Sequence, residues 1–281
     1  MSKLSFAILI VTVILNSCTS FKSFAVDNLD SGKVILKIEP EYKNYLLKQR
    51  VWCKVTLKNL SDEDYYLKKS LNYYDLDLSI IDPSGKRLHS SIIISSGPAT
   101  DSTKLAPGEI RERFINLDAF MGPLKNRDDI KGVYKISANY QGIKSNEIEI
   151  TKSKPTGVDK EVYDRLYRDF NFFPLNEKDV SYLADIVYKF PNSKYIPYLY
   201  GTLIMKDSGE KVMKYVNDYF EKYSNIYESN SIIDFYESYL RIDKNYNVEQ
   251  TKQELLNFTN KYKNTVTEKA VKTLLEDNHY N

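Results

Sequence analysis

Histidine, cysteine and tryptophan are nearly missing from this chain. Its 281 residues include 2 His, 2 Cys and 1 Trp. So small an inventory excludes a His-rich or Cys-rich metal centre and a disulfide-stapled scaffold. A dominant charge is missing as well. Lys plus Arg total 40 and Asp plus Glu total 38, a net of +2, so a nucleic-acid binder would need a local basic patch. No phosphate loop, dinucleotide fingerprint or graded calcium loop occurs. Beyond the N-terminus there is no apolar run of about 18 residues, the length that reads as a spanning helix. What is abundant is tyrosine: 24 residues, 16 of them after residue 157. A chain this long suits two domains.

The N-terminus carries an address. Lys3 gives a positive start, and Phe6 to Leu15 is apolar apart from Thr12. That stretch is too short for a permanent span and right for a signal peptide. It ends in Leu15-Asn16-Ser17-Cys18, which resembles the lipobox of bacterial lipoproteins. The resemblance implies that residues 1–17 are a signal peptide cut before Cys18, that the Cys18 thiol carries diacylglycerol, and that acyl chains such as palmitate follow. Several chains anchor firmly, because each buried CH₂ contributes roughly 0.8 kcal/mol. Residues 18–32 then form a lipidated tether, and the body sits in the bacterial cell envelope, periplasmic or surface-exposed, with the membrane as its first partner.

Cys53 is then the lone thiol. It lies in Val51-Trp52-Cys53-Lys54-Val55, a strand pattern with no His nearby, so it reads as a small buried hydrophobe rather than a nucleophile.

From residue 33 to 151 the hydrophobic period is two. Val34-Leu36-Ile38, Val51 to Leu57, Leu76-Leu78-Ile80 and Tyr134-Ile136-Ala138-Tyr140 alternate, with turns at Asp82-Pro83-Ser84-Gly85, Ala106-Pro107-Gly108-Glu109 and Gln141-Gly142. Seven short strands without an intervening helix pattern predict a β-sandwich. The order of signals resembles the immunoglobulin-like domains of bacterial secreted proteins and lipoproteins. That resemblance makes Tyr134 a corner tyrosine bonded to nearby backbone. Trp52 is out of phase with Val51, Cys53, Val55 and Leu57. Either a bulge resets the strand or Trp52 packs outside the sandwich core, under a loop or against the other half; the second is the expectation.

Residues 152–157 (KSKPTG) read as a linker between independently folding halves. Residues 158–281 are helical, with apolar residues at helical spacing in seven segments. Three helix ends look alike: Phe190-Pro191-Asn192-Ser193, Tyr223-Ser224-Asn225-Ile226 and Tyr262-Lys263-Asn264-Thr265. The aromatic-Pro-Asn-Ser junction, with Gly201 in the following helix, resembles tetratricopeptide-type repeats of bacterial envelope proteins and implies a helical-hairpin array. The expected fold is thus all-β then all-α.

Chemistry finds little support. His89 follows a turn and His279 lies near a terminus. Glu109, Arg111, Glu112 and Arg113 read as a solvated strand face. Asp62-Glu63-Asp64 and Asp128-Asp129 are acidic turns. No cofactor, metal site or catalytic group is expected, and no nucleic-acid partner. The expectation is a non-catalytic, membrane-anchored module that binds a protein or peptide of the envelope. The alternatives are a protease inhibitor acting through the loop from Ser95 to Thr103, and an enzyme of unrecognised type. Tyr215, Tyr219 and Tyr223 have core spacing. Tyr198, Tyr200, Tyr236 and Tyr239 are the partner-binding residues expected to line one groove, because aromatic rings concentrate at interfaces.

Overall fold

The computed structural model describes residues 33–67, 76–89, 103–117, 130–167 and 177–277. A strand-rich N-terminal part precedes a helical C-terminal part. Three strands, β1 (Val34–Pro40), β3 (Trp52–Asn59) and β8 (Ile110–Asn116), form an antiparallel sheet in the order β1-β3-β8. A second sheet runs β2-β11-β9-β5-β6, from β2 (Asn44–Leu46), β11 (Ile148–Ser153), β9 (Gly132–Tyr140), β5 (Leu76–Ile81) and β6 (Arg87–His89), with β10 (Ile143–Lys144) beside β9. A small third sheet pairs β4 (Tyr65–Leu67) with β7 (Thr103–Leu105). Six of the seven expected strands are β1, β3, β5, β8, β9 and β11, and the seventh, at Ile92 to Ile94, lies outside the described residues; the other five strands are two- and three-residue pieces, too short for a period of two to register.

Alternation decides what is buried. Val34, Leu36 and Ile38 of β1, Cys53, Val55 and Leu57 of β3, and Leu78, Ile80, Ile136 and Tyr140 of the second sheet share one core. Cys53 is 1% exposed, and burial first, then the nearby Glu41 charge, pushes its thiol up to about 12. It is an inert core residue. The Tyr134 hydroxyl donates to the Ile130 carbonyl at 2.9 Å, tying the start of β9 to the chain just upstream.

The helical part comprises α1 (Gly157–Tyr167), α2 (Glu177–Lys189), α3 (Ile196–Lys206), α4 (Glu210–Tyr223), α5 (Ser229–Ile242), α6 (Val248–Lys261) and α7 (Val266–Asp277). Helices α3, α5 and α7 lie side by side in that order. Gly201 makes the first contact close: a Cβ there would lie 3.1 Å from the Phe235 ring. The look-alike helix ends before α3 and α5 share one turn. Ser193 N–H bonds Phe190 O and Ile196 N–H bonds Ser193 O; thirty-three residues on, Ile226 N–H bonds Tyr223 O and Ser229 N–H bonds Ile226 O. The same turn thus precedes α3 and, one helix later, α5.

The expected linker is not a free tether. Lys152 and Ser153 complete β11, pairing in parallel with Tyr45 and Leu46 of β2. Lys152 is 3% exposed, and α1 begins at Gly157, where φ is 55°. A Lys/Ser/Pro/Gly composition reads as loop only when nothing pairs with its backbone; here an edge strand does.

Candidate functional site

The outer face of the β1-β3-β8 sheet meets residues of α3, the start of α5 and α7. On β3 the pleat turns Cys53, Val55 and Leu57 inward and Trp52 outward. Trp52 packs with Phe114 and Tyr198, flanked by Tyr227 and Val266. No bulge resets the strand: Trp52 to Lys58 pair without interruption with Asn116 to Ile110. Trp52 is therefore buried against the helices, outside the core between the sheets.

Polar groups fix this junction. Glu228, fully buried, accepts from Arg50 Nη1 and from Trp52 Nε1, each at 2.6 Å. It sits at the N-terminus of α5, where the helix dipole favours a negative charge. Tyr195 donates to Leu47 O at 2.6 Å, and Gln49 Nε2 donates to the Tyr198 hydroxyl at 3.3 Å. Farther along, Lys269 Nζ meets Glu112 at 2.6 Å. Glu112 also pairs with Lys54, so the four charged strand residues expected to be a solvated face are partly used in the junction.

Glu41 is the odd member. Its Oε1 accepts from Tyr227 N at 2.7 Å, while its buried Oε2 has no hydrogen-bond partner. Burial pushes the carboxyl up to about 7; the Tyr227 N–H opposes the shift and the Glu228 charge adds to it.

Beside this junction lies a cavity of about 410 Å³. Tyr42, Asn44 and Gln49 of the segment around β2 form one wall. The two copies of the repeated turn form the other, with Pro191, Asn192 and Lys194 from the first and Tyr223 and Ile226 from the second; Pro197 and Tyr198 of α3 close it. Its aromatic walls are held in place. The Tyr223 hydroxyl donates to Pro191 O at 3.0 Å, bridging the two turns. Tyr198 is pinned by Gln49 and by Trp52. Tyr42 lies edge-on to Tyr45, with ring centres 5.7 Å apart.

The four tyrosines expected to line one outward groove do not do so. Tyr198, Tyr200, Tyr236 and Tyr239 are all buried. Tyr200 stacks edge-on with Tyr219 in the helical core, Tyr236 packs on Phe258, and the Tyr239 hydroxyl donates to Gly209 O. Helices α3 and α5 each have neighbours on more than one side, so rings on several faces are covered. Of the four, Tyr198 lines the cavity. Tyr215 and Tyr219 are core, and Tyr223 is half-buried with its hydroxyl at the rim. The cavity residues Tyr42, Asn44, Gln49, Pro191, Asn192 and Ile226 were missed. The repeated turn was a visible signal, but nothing in the sequence showed that two of its copies face the β2 segment.

Other sequence candidates are scattered or lie outside the described residues. Cys18 and the tether, residues 95–102, Asp128, Asp129 and His279 are outside them. Asp62, Glu63 and Asp64 are on the surface. Among the described residues no His, Cys, Asp and Glu side chains gather as a metal-ligand group, and no helix is long and apolar enough to cross a membrane.

No family model and no curated protein matches the chain. The similarities found among solved structures are partial. A Pseudomonas fluorescens alkylpurine DNA glycosylase bound to abasic-site DNA aligns at 13% identity and a TM-score of 0.28, over 43% of this chain and 30% of that one. A Listeria innocua β-glucosidase in complex with laminaribiose aligns at 14% and 0.29, over 44% and 16%. The CARDB domain of a Pyrococcus furiosus protein aligns at 11% and 0.24, over 43% and 87%. The chain thus spans less than a third of the glycosylase and of the glucosidase, and resemblance at this level carries no functional argument.

Proposed function

We propose that this protein is a lipid-anchored lipoprotein of the bacterial envelope that binds a protein or peptide segment without catalysis. The observation that carries the binding role is the cavity between the β2 segment and the repeated turns. Its volume falls within the range of about 300–1,000 Å³ common to ligand sites. It has rigid aromatic and proline walls and a few amides to orient a ligand. Ser193 also lines it, but its hydroxyl is held by Asp159 at 2.9 Å.

The finer fold reading belongs to the same proposal. The corner bond from Tyr134 supports an immunoglobulin-like sandwich. The repeated turn before α3 and α5 supports a tetratricopeptide-like hairpin array. The anchor rests on Leu15-Asn16-Ser17-Cys18. Labelled palmitate supplied to expressing cells should enter the chain and be lost in Cys18→Ala; label retained in that variant sinks the anchor. For the binding role, a bulky Asn192→Trp substitution at the cavity mouth should abolish retention of any peptide the wild-type chain holds.

A further inference from the structure

We infer that Glu41 is a proton-operated latch for the cavity: its ionised carboxylate holds the Tyr42 ring in place as a wall, and protonation lets the ring go. The latch would regulate the binding role proposed above and rests on that reading for its purpose, but it is testable without a ligand. Glu41 itself is fixed in the junction. Its N–H donates to Trp52 O at 3.0 Å, and its Oε1 accepts from Tyr227 N at 2.7 Å. Its other oxygen, Oε2, is buried without a hydrogen-bond partner. Help comes from two residues that line the cavity: the hydroxyls of Tyr42 and Tyr198 both favour the charged form of Glu41. Linkage makes that effect mutual, so each hydroxyl is held more tightly once the charge is there.

Of the two rings, Tyr198 has little freedom. It is 6% exposed, packs with Trp52 and Phe114, and accepts from Gln49. Tyr42 is 40% exposed. Its backbone N–H is tied to the Tyr45 hydroxyl at 3.1 Å, so the chain stays in place while the ring can turn between rotamers. Tyr42 is therefore the part that answers to the proton. The other titratable groups facing Glu41 come from several elements. Tyr42 and Tyr45 belong to its own segment, and Cys53 to β3. Tyr198 is on α3 and Tyr219 on α4, while Tyr227 and Glu228 precede α5. Burial drives the thiol and these tyrosines above their ordinary values, which takes them further from neutrality. Glu228 is held by Arg50 and Trp52. Burial pushes Glu41 up to about 7, so its charge turns over near neutral pH: the latch is held above that value and released below it.

The test is hydroxyl-radical footprinting of the full chain in detergent micelles, read by mass spectrometry between about pH 5.5 and 8.5. Oxidation at Tyr42 is divided by oxidation at Tyr66, an exposed tyrosine of β4, which cancels changes in the radical dose. The ratio should fall by about twofold or more as pH rises, along a single-proton curve centred near 7. Glu41→Gln keeps an acceptor for Tyr227 N–H without the charge, and its ratio should stay at the acid value throughout. Tyr42→Phe removes the hydroxyl that is latched, and oxidation at position 42 should then be high and independent of pH. Thermal melting confirms that both variants fold. A wild-type ratio that stays flat or rises with pH overturns the latch. So does a fall that survives in Glu41→Gln, which would assign it to Glu228 or another group, and so does one that survives in Tyr42→Phe. These outcomes leave the binding role to its own test, Asn192→Trp.

Discussion

The indole Nε1 of Trp52 donates to Glu228 Oε2 at 2.6 Å, and this buried bond ties the two parts of the chain together. The other Glu228 oxygen is held by Arg50. A strand residue and a carboxylate at the start of α5, 176 residues apart in sequence, thus satisfy each other where water is excluded.

Removing one partner of such a buried charge leaves the other uncompensated. Glu228→Ala should destabilise the protein by about 3–5 kcal/mol, read from urea midpoints, and shift Trp52 emission to the red. Glu228→Gln keeps an acceptor for the indole and should cost less. Equal and small losses in both variants would mean that the carboxylate contributes little to the junction.

Glu41 gives the junction a pH dependence. Its carboxyl titrates near the ordinary 4.5 in the unfolded chain and at about 7 in the folded one. Between those values the folded state binds more protons, so stability falls as pH rises through that window and the loss is complete above about 7. Glu41→Gln keeps the bond from Tyr227 N–H and removes the charge. It should raise stability at pH 8 by about 1–3 kcal/mol, leave it nearly unchanged at pH 4.5, and flatten the slope between them. A slope that persists in the variant would assign it to other groups.

The two halves should unfold as one unit. Leu46 of β2 belongs to the helical core, the backbone of residues 152–153 is paired, and Trp52 is shared. Urea transitions followed by Trp52 emission and by far-ultraviolet circular dichroism should coincide. Limited proteolysis within residues 152–157 should not yield two stable fragments. A biphasic transition would restore the picture of separable domains.

Gly201 lies where α3 meets α5, and a Cβ would need Phe235 to give by a few tenths of an ångström. Gly201→Leu should therefore cost about 1–3 kcal/mol by overpacking, despite leucine's better helix propensity. Gly201→Ala sets contact against propensity and should change the melting temperature much less. A leucine variant as stable as wild type would show that Phe235 is free to move.

Local pattern was enough for several features. The period of two in β1, β3, β5 and β9 marked their inner faces, including Cys53. The phase of Trp52 against Cys53 placed the indole outside the core between the sheets, because successive side chains in a strand must point to opposite faces. The repeat in the helix ends foretold a repeated turn. Short strands such as β2 and β10 left no mark, since two or three residues cannot display a period.

The sequence by itself determined a strand-rich part followed by a helical part, a buried Cys53 and a near absence of histidine, because these depend on composition and on periods of two and 3.6 that act within a few residues. The tertiary structure alone decided which tyrosines are covered and where the cavity lies. Tyr200 and Tyr236 are buried because helices stack on more than one of their faces, and the cavity exists because β2 runs past two copies of the same turn. The first follows from contacts tens of residues apart, such as Tyr200 with Tyr219 and Tyr236 with Phe258, and the second from contacts more than a hundred apart, such as Gln49 with Tyr198; neither leaves an imprint on local spacing.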